Sequence, residues 1–105
     1  LMGGTPKQCL DAAGTALTNL MGLVCDPIAG LVESPCQSRN AIGASNALIS
    51  AEIALSGIEQ VVPFDEIVIA MKLVGSSLAF ELRETSLGGV AATPIGCKIK
   101  EKIFG

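Results

Sequence analysis

The chain has 105 residues, half of them apolar and 16% charged, with a net charge of −3 and a mean hydropathy of +0.57. It contains no His, which excludes a Ser-His dyad, a Cys-His pair and an imidazole ligand from this chain, and no Trp or Tyr and only three Phe, so aromatic stacking is a poor explanation of function. Its basic residues are scattered apart from Lys98, Lys100 and Lys102, so nucleic acid has no electrostatic footprint. No apolar run is long enough to cross a membrane, and Leu1-Met2-Gly3-Gly4 does not read as a signal peptide.

A chain of this size buries only about two-thirds of its extended surface. So much apolar surface predicts a segment that packs against more protein, read as a single domain over residues 1–105. A start at Leu1 rather than Met agrees with a fragment or a processed subunit. Four cysteines without a secretory signal favour a reducing, cytoplasmic setting with free thiols or metal ligation.

Thr5-Pro6-Lys7-Gln8 reads as a helix start: Thr5 caps, Pro6 suits the first helical position and Gln8 completes a capping box. This helix is expected to run to about Met21, with Gly22 as its stop. Leu10, Ala13, Leu17, Leu20 and Met21 form its apolar face, and Gly14 marks a close helix crossing. Residues 23–34 read as a loop, with turns at Asp26-Pro27 and Gly30. Ser34-Pro35 repeats the start signal, with Ser34 as cap and Cys36 just behind. The helix that follows runs to about Ser56 and is apolar nearly all round, from Ala41 and Ile42 to Ala54 and Leu55, so a central place in a core is expected.

Val61-Val62-Pro63-Phe64 reads as an extended linker. Asp65 is placed to cap a third helix, whose Ile67, Ala70, Met71, Val74 and Leu78 give the clearest amphipathic period in the chain. Beyond it come Arg83-Glu84-Thr85, the Gly88-Gly89 loop and Thr93-Pro94-Ile95-Gly96-Cys97, and Lys98 to Gly105 is ambiguous. The expected fold is all-α, with three main helices and a loop-rich C-terminal end.

The chemistry centres on Cys25 and Cys36, eleven positions apart, each beside a proline-containing turn. A cysteine in the first turn of a helix meets free N–H groups and the positive end of the dipole, which favour thiolate. Thiolates hold iron-sulfur clusters. Read from the residues alone, buried structural cysteines, a metal site and a redox pair all remain open. Cys9 reads as a small buried apolar residue, and Cys97 as structural or as a terminal thiol within reach of a metal. Arg39 either pairs with Glu33 or another acid or grips a carboxylate, and Asn40 beside it offers an amide. Arg83 and Thr85 are a polar wall or a salt-bridged helix end, and Asp26 is a turn or loop hydrogen-bonder. Gly88-Gly89 lacks the surroundings of a phosphate loop.

Two blocks carry a resemblance. Gly22-Leu23-Val24-Cys25-Asp26-Pro27-Ile28-Ala29-Gly30-Leu31-Val32-Glu33, Pro35-Cys36 and Arg39-Asn40-Ala41 form the first. Glu81-Leu82-Arg83-Glu84-Thr85-Ser86-Leu87-Gly88-Gly89-Val90-Ala91-Ala92-Thr93-Pro94-Ile95-Gly96 form the second. Both resemble stretches of bacterial iron-sulfur L-serine dehydratases, and Met2-Gly3-Gly4-Thr5-Pro6 fits that family's linker before the preceding helix. The resemblance implies the C-terminal part of an α subunit or α domain, a fragment of a larger α-helical catalytic domain.

That family deaminates L-serine to pyruvate and ammonia without pyridoxal phosphate. The resemblance implies a 4Fe-4S cluster held by three cysteines, with the open iron acting on the serine hydroxyl and carboxylate. Cys25 and Cys36 match two of those ligands. The third, together with the base that removes the α-proton, is expected upstream of this chain, and Cys9 does not match it. Substrate contacts are expected from Arg39, Asn40, Arg83 and Thr85. The implied partners are L-serine, the rest of the α domain, and a β subunit or regulatory domain within a homo- or hetero-oligomer. Ala79 stands where related sequences often have proline, so the third helix is expected to continue further. Some members end in a cysteine that reaches the open iron, a role not carried over to Cys97. Two other classes stand beside this one: an α-helical assembly domain with inert cysteines, and a thiol redox sensor using Cys25 and Cys36.

Overall fold

A computed structural model describes residues 3–105. Leu1 and Met2, which the signal-peptide reading and the linker before the first helix both use, lie outside the described residues. The all-α expectation is met: the elements are α1 (Pro6–Asn19), α2 (Cys36–Leu55), α3 (Phe64–Ser77) and α4 (Pro94–Phe104), with short 3-10 turns between them. The chain divides into two compact units. One holds the chain up to Met21 together with Ile42–Val74, and the other holds Gly22–Ala41 together with Gly75–Gly105.

In the first unit, α1 begins as its sequence dictates. The Thr5 hydroxyl accepts from the Gln8 N–H at 3.2 Å, and the Gln8 side chain accepts from the Thr5 N–H at 2.9 Å. This reciprocal box satisfies two donors that a helix start otherwise leaves free. Helix α1 ends at Asn19, two residues before the expected Met21. Gly14 is buried, and a methyl group there would meet Ile67 Cδ1 at 2.9 Å and Gln60 Cγ at 3.2 Å. The glycine is thus the close crossing its position suggested.

Asn46 supplies the polar link between α1 and the C-terminal part of α2. Its amide donates to the Ala16 carbonyl at 2.9 Å and its oxygen accepts from Asn19 at 3.0 Å and from Ser50 at 3.3 Å. Ser50 is completely buried, and this bond satisfies its hydroxyl. Helix α3 starts one residue before Asp65, so Asp65 lies in the first turn with Glu66 rather than at the cap. The Pro63 carbonyl takes the N–H groups of Glu66 and Ile67, and the two acids face the positive end of the dipole. The helix ends at Ser77 and does not run on through Ala79, whose ψ of 144° is extended.

Ile67 is the largest fully buried side chain of the chain's described residues. Ile67→Ala is expected to cost about 2–5 kcal/mol, because the Gly14 surface cannot collapse onto the void. Urea unfolding followed by circular dichroism measures it. A loss below about 1 kcal/mol would show that this packing is not the centre of the unit.

The expectation that α2 is buried all round is not met. Ser50 and Ala54 are buried, but Ile42, Leu48 and Ile49 each keep more than half of their surface exposed, as do Ile69 and Leu73 of α3. Among the described residues these apolar side chains remain uncovered. Cys9, expected to be buried, is also exposed. It stands at an apolar groove of about 260 Å³ with Gln8, Ala12, Ala51 and Leu55.

In the second unit the ambiguous tail is helix α4. Thr93 caps it by accepting from the Gly96 N–H at 3.1 Å, and Pro94 takes the first helical position. Thr93-Pro94 is the same signal as Thr5-Pro6, so the helix start was legible. What blurred it is the alternation of Lys98, Lys100 and Lys102 with apolar residues, which suits a strand as well as a helix. Helix α4 packs on the turns Ile28–Gly30 and Gly89–Ala92. Gly96 permits this, since a methyl group there would lie 2.7 Å from the Val90 carbonyl oxygen.

Candidate functional site

Cys25 lies where the two sequence blocks meet. Its N–H donates to the Leu82 carbonyl at 3.0 Å, and its carbonyl accepts from the Glu84 N–H at 3.0 Å, an isolated parallel bridge opposite Arg83. Residues more than fifty positions apart are thereby held by backbone alone.

Asp26, the next residue, is 2% exposed. One carboxylate oxygen accepts from the Val90 N–H at 2.6 Å, and the other pairs with the Arg39 guanidinium. The same guanidinium nitrogen donates to the Val24 carbonyl at 3.1 Å. Arg39 therefore pairs with Asp26 and not with Glu33, while a third of its side chain remains exposed. Gly89 makes room for this arrangement. Its φ is +59°, and a side chain there would collide with the Asp26 carboxylate.

Burial by itself raises the Asp26 pKa, but the Val90 N–H and the Arg39 charge outweigh it and hold the carboxyl below its ordinary value. A lowered folded-state pKa contributes stability that is fully present above the unfolded carboxylate range, about pH 4, and lost as the pH falls through the folded value. The stability gap between wild type and Asp26→Asn is therefore expected to be constant near neutrality and to shrink below about pH 4. Denaturant midpoints measured at descending pH check this, and a gap that widens in acid would contradict it.

Cys36 is the first residue of α2, so the helix starts one residue later than the Ser34-Pro35 signal placed it. The Ser34–Pro35 peptide is cis, and the Ser34 carbonyl accepts from the Ile28 N–H at 2.9 Å. Arg39 follows one turn after Cys36, on the same face. Cys25 and Cys36 are both half-buried and both free thiols. Burial pushes the Cys25 thiol up, aided by the nearby carboxylates of Glu84 and Asp26 and opposed by Arg39.

The surrounding backbone is strained. Ala29, Glu84 and Ser86 adopt φ values of 57°, 67° and 58°, which costs residues with a Cβ on the order of 1 kcal/mol or more each. All three lie in the two blocks of the second unit. Between Glu84 and Ser86, the Thr85 hydroxyl donates to the Glu81 carbonyl at 2.9 Å and accepts from the Leu87 N–H at 3.2 Å. Thr85 therefore holds the turn together. Arg83 is exposed and has no ion pair among the described residues, so it is not the salt-bridged helix end considered from its sequence. Asn40 is exposed on the first part of α2.

The donor set suits a thiophilic metal group at two corners. Cys25 and Cys36 are free and share one unit, while no cluster of three Cys, Asp or Glu side chains stands ready for a metal among the described residues. Cys97 is exposed on α4, its sulfur 3.9 Å from the Ala91 carbonyl oxygen. The Asp26–Val90–Gly89 contact was not legible beforehand, because nothing in Gly88-Gly89 indicates which distant side chain its turn will face.

Comparison with known proteins bears on the same residues. The model of the serine dehydratase alpha chain family matches residues 1–91. The chain is 53% identical, over its full length, to a probable L-serine dehydratase alpha chain of Bacillus subtilis. It is 55% identical over 98% of its length to a probable L-serine dehydratase alpha chain of Latilactobacillus sakei, and 57% identical over 95% to the L-serine dehydratase alpha chain of Peptoniphilus asaccharolyticus. It spans 35%, 49% and 34% of those relatives, respectively. No solved structure matches it.

Proposed function

We propose that this chain, which belongs to the serine dehydratase alpha chain family, forms the C-terminal part of the catalytic region of an iron-sulfur L-serine dehydratase. The reaction would be deamination of L-serine to pyruvate and ammonia. The observation that carries this reading is the backbone bridge at Cys25, which joins the two sequence blocks around one thiol.

Cys25 and Cys36 would supply two thiolates to a 4Fe-4S cluster, with the third from the part of the α region that this chain does not contain. When bound, the cluster would supply a Lewis acid for the serine hydroxyl and carboxylate. Arg83, exposed and without an ion pair among the described residues, is suited to the substrate carboxylate. Arg39 holds Asp26 with one nitrogen and can present the rest of its guanidinium beside Asn40. Thr85 would act by keeping Arg83 and Glu84 in place. The proton-transfer base lies outside this chain. The setting would be cytoplasmic, with the rest of the α region and a β subunit or regulatory domain as partners.

Anaerobic reconstitution with iron and sulfide tests this. The 105-residue chain is expected to hold no stable cluster and to form no pyruvate from L-serine. A version extended upstream with the remainder of the α region is expected to do both. Pyruvate formation by the short chain would refute the split ligand set. No cluster in either, with ordered helices in both, would leave a non-catalytic assembly domain, a reading with which the exposed Ile42, Leu48, Ile49 and Leu73 agree equally well.

A further inference from the structure

We propose that Asp26 is a positioning residue for the thiolate pair, clamping the Cys25 loop to the Cys36 end of α2 and to the Gly89–Ala92 turn. The inference rests on the cluster reading above.

A polar route links the two cysteines. It runs from Cys36 one turn along α2 to Arg39, across the ion pair to Asp26, and along one peptide to Cys25. A second brace runs from the other carboxylate oxygen to the Val90 N–H. A third is the pair of backbone bonds from Cys25 to Leu82 and Glu84. Cys25 is therefore held from three directions, and two of the three braces end on Asp26.

A buried carboxylate is a poor choice for stability alone. Removing it from water costs several kcal/mol per ion, and an apolar residue of similar volume often serves as well. A carboxylate offers what an apolar side chain lacks, namely two oxygens that accept in fixed directions. The surroundings conform to it: Gly89 adopts positive φ and lacks the Cβ that would strike it. Partners that hydrogen-bond metal ligands typically contribute 10–100-fold to metal affinity, and a brace on the loop that carries a ligand is expected to act on the same scale.

The test uses the full α chain carrying this segment, reconstituted anaerobically, in wild type, Asp26→Asn, Arg39→Lys and Arg39→Gln. Two readouts are taken. The first is the rate at which a chelator strips iron, followed by the visible absorbance of the thiolate-bound cluster. The second is amide exchange at Cys25, Glu84 and Val90 in metal-free protein. Asp26→Asn is expected to lose iron about 10–100-fold faster and to exchange faster at those three amides, with the amides of α1 still protected. Arg39→Lys, which keeps the charge, is expected to recover much of the iron retention that Arg39→Gln loses.

A merely structural clamp would speed exchange but leave iron retention unchanged, and that result overturns the proposal. If Asp26→Asn does not fold, Arg39→Gln decides by the same two readouts, because it leaves the Val90 bond intact. Wild-type protein that takes up no iron overturns the cluster reading and this role with it. Normal loading of wild type with unaltered retention in the variants overturns this role alone.

Discussion

Asp26→Ala is expected to destabilise the second unit by about 3–5 kcal/mol. The methyl group accepts no hydrogen bond, so the Val90 N–H loses its partner and the Arg39 charge is left facing a void. Leaving a buried donor unsatisfied costs about 1–3 kcal/mol, and more when a charge is involved. A small domain holds about 5–15 kcal/mol in all, so the loss is a large fraction. Removing both charges together should be milder. Asp26→Ala with Arg39→Met is expected to cost clearly less than the two single changes summed, because neither partner is then stranded. Urea unfolding of the four proteins gives the coupling. Strict additivity would show that the pair is not the unit described here.

Cys25→Ser and Cys36→Ser, made in the extended α chain, are each expected to reduce iron content and pyruvate formation by at least about 100-fold. That estimate takes the loss of a direct ligand to exceed the 10–100-fold typical of an outer-shell change. A serine hydroxyl is not ionised at neutral pH, and oxygen is a poor match for a thiophilic centre. The fold should barely notice, since both thiols are half-buried and the backbone bonds of Cys25 do not involve its sulfur. Cys9→Ser and Cys97→Ser are the controls, both exposed, and are expected to retain iron and activity. Full iron and pyruvate formation in Cys36→Ser would sink the two-ligand assignment. Reversible pairing of Cys25 with Cys36 under mild oxidation, without iron uptake, would instead favour a thiol sensor.

Much of this could be read along the chain because its causes are local. Thr5-Pro6 and Gln8 specify a helix start through bonds that span three residues. The apolar period of α3 is local too. Cys25 and Cys36 stood out through the resemblance of the stretch that holds them, since their residue type and spacing alone left structural, metal and redox roles open. Thr93-Pro94 carried the same information as Thr5-Pro6, but alternating lysines gave its helix a competing period.

Tertiary structure decided the partners. Arg39 had an acid nearer in sequence, Glu33, yet pairs with Asp26 because the loop folds that carboxylate against α2. Asp26 also accepts from Val90, sixty-four residues away. No periodicity or propensity encodes that meeting. It depends on a turn at Gly89 that has no room for a Cβ once the carboxylate is beside it. Local sequence sets which segments are helices and which side chains carry chemistry, because propensity and capping act over a few residues. Which buried charge meets which donor is settled by packing, because the desolvation of a carboxylate is offset only when distant groups arrive together.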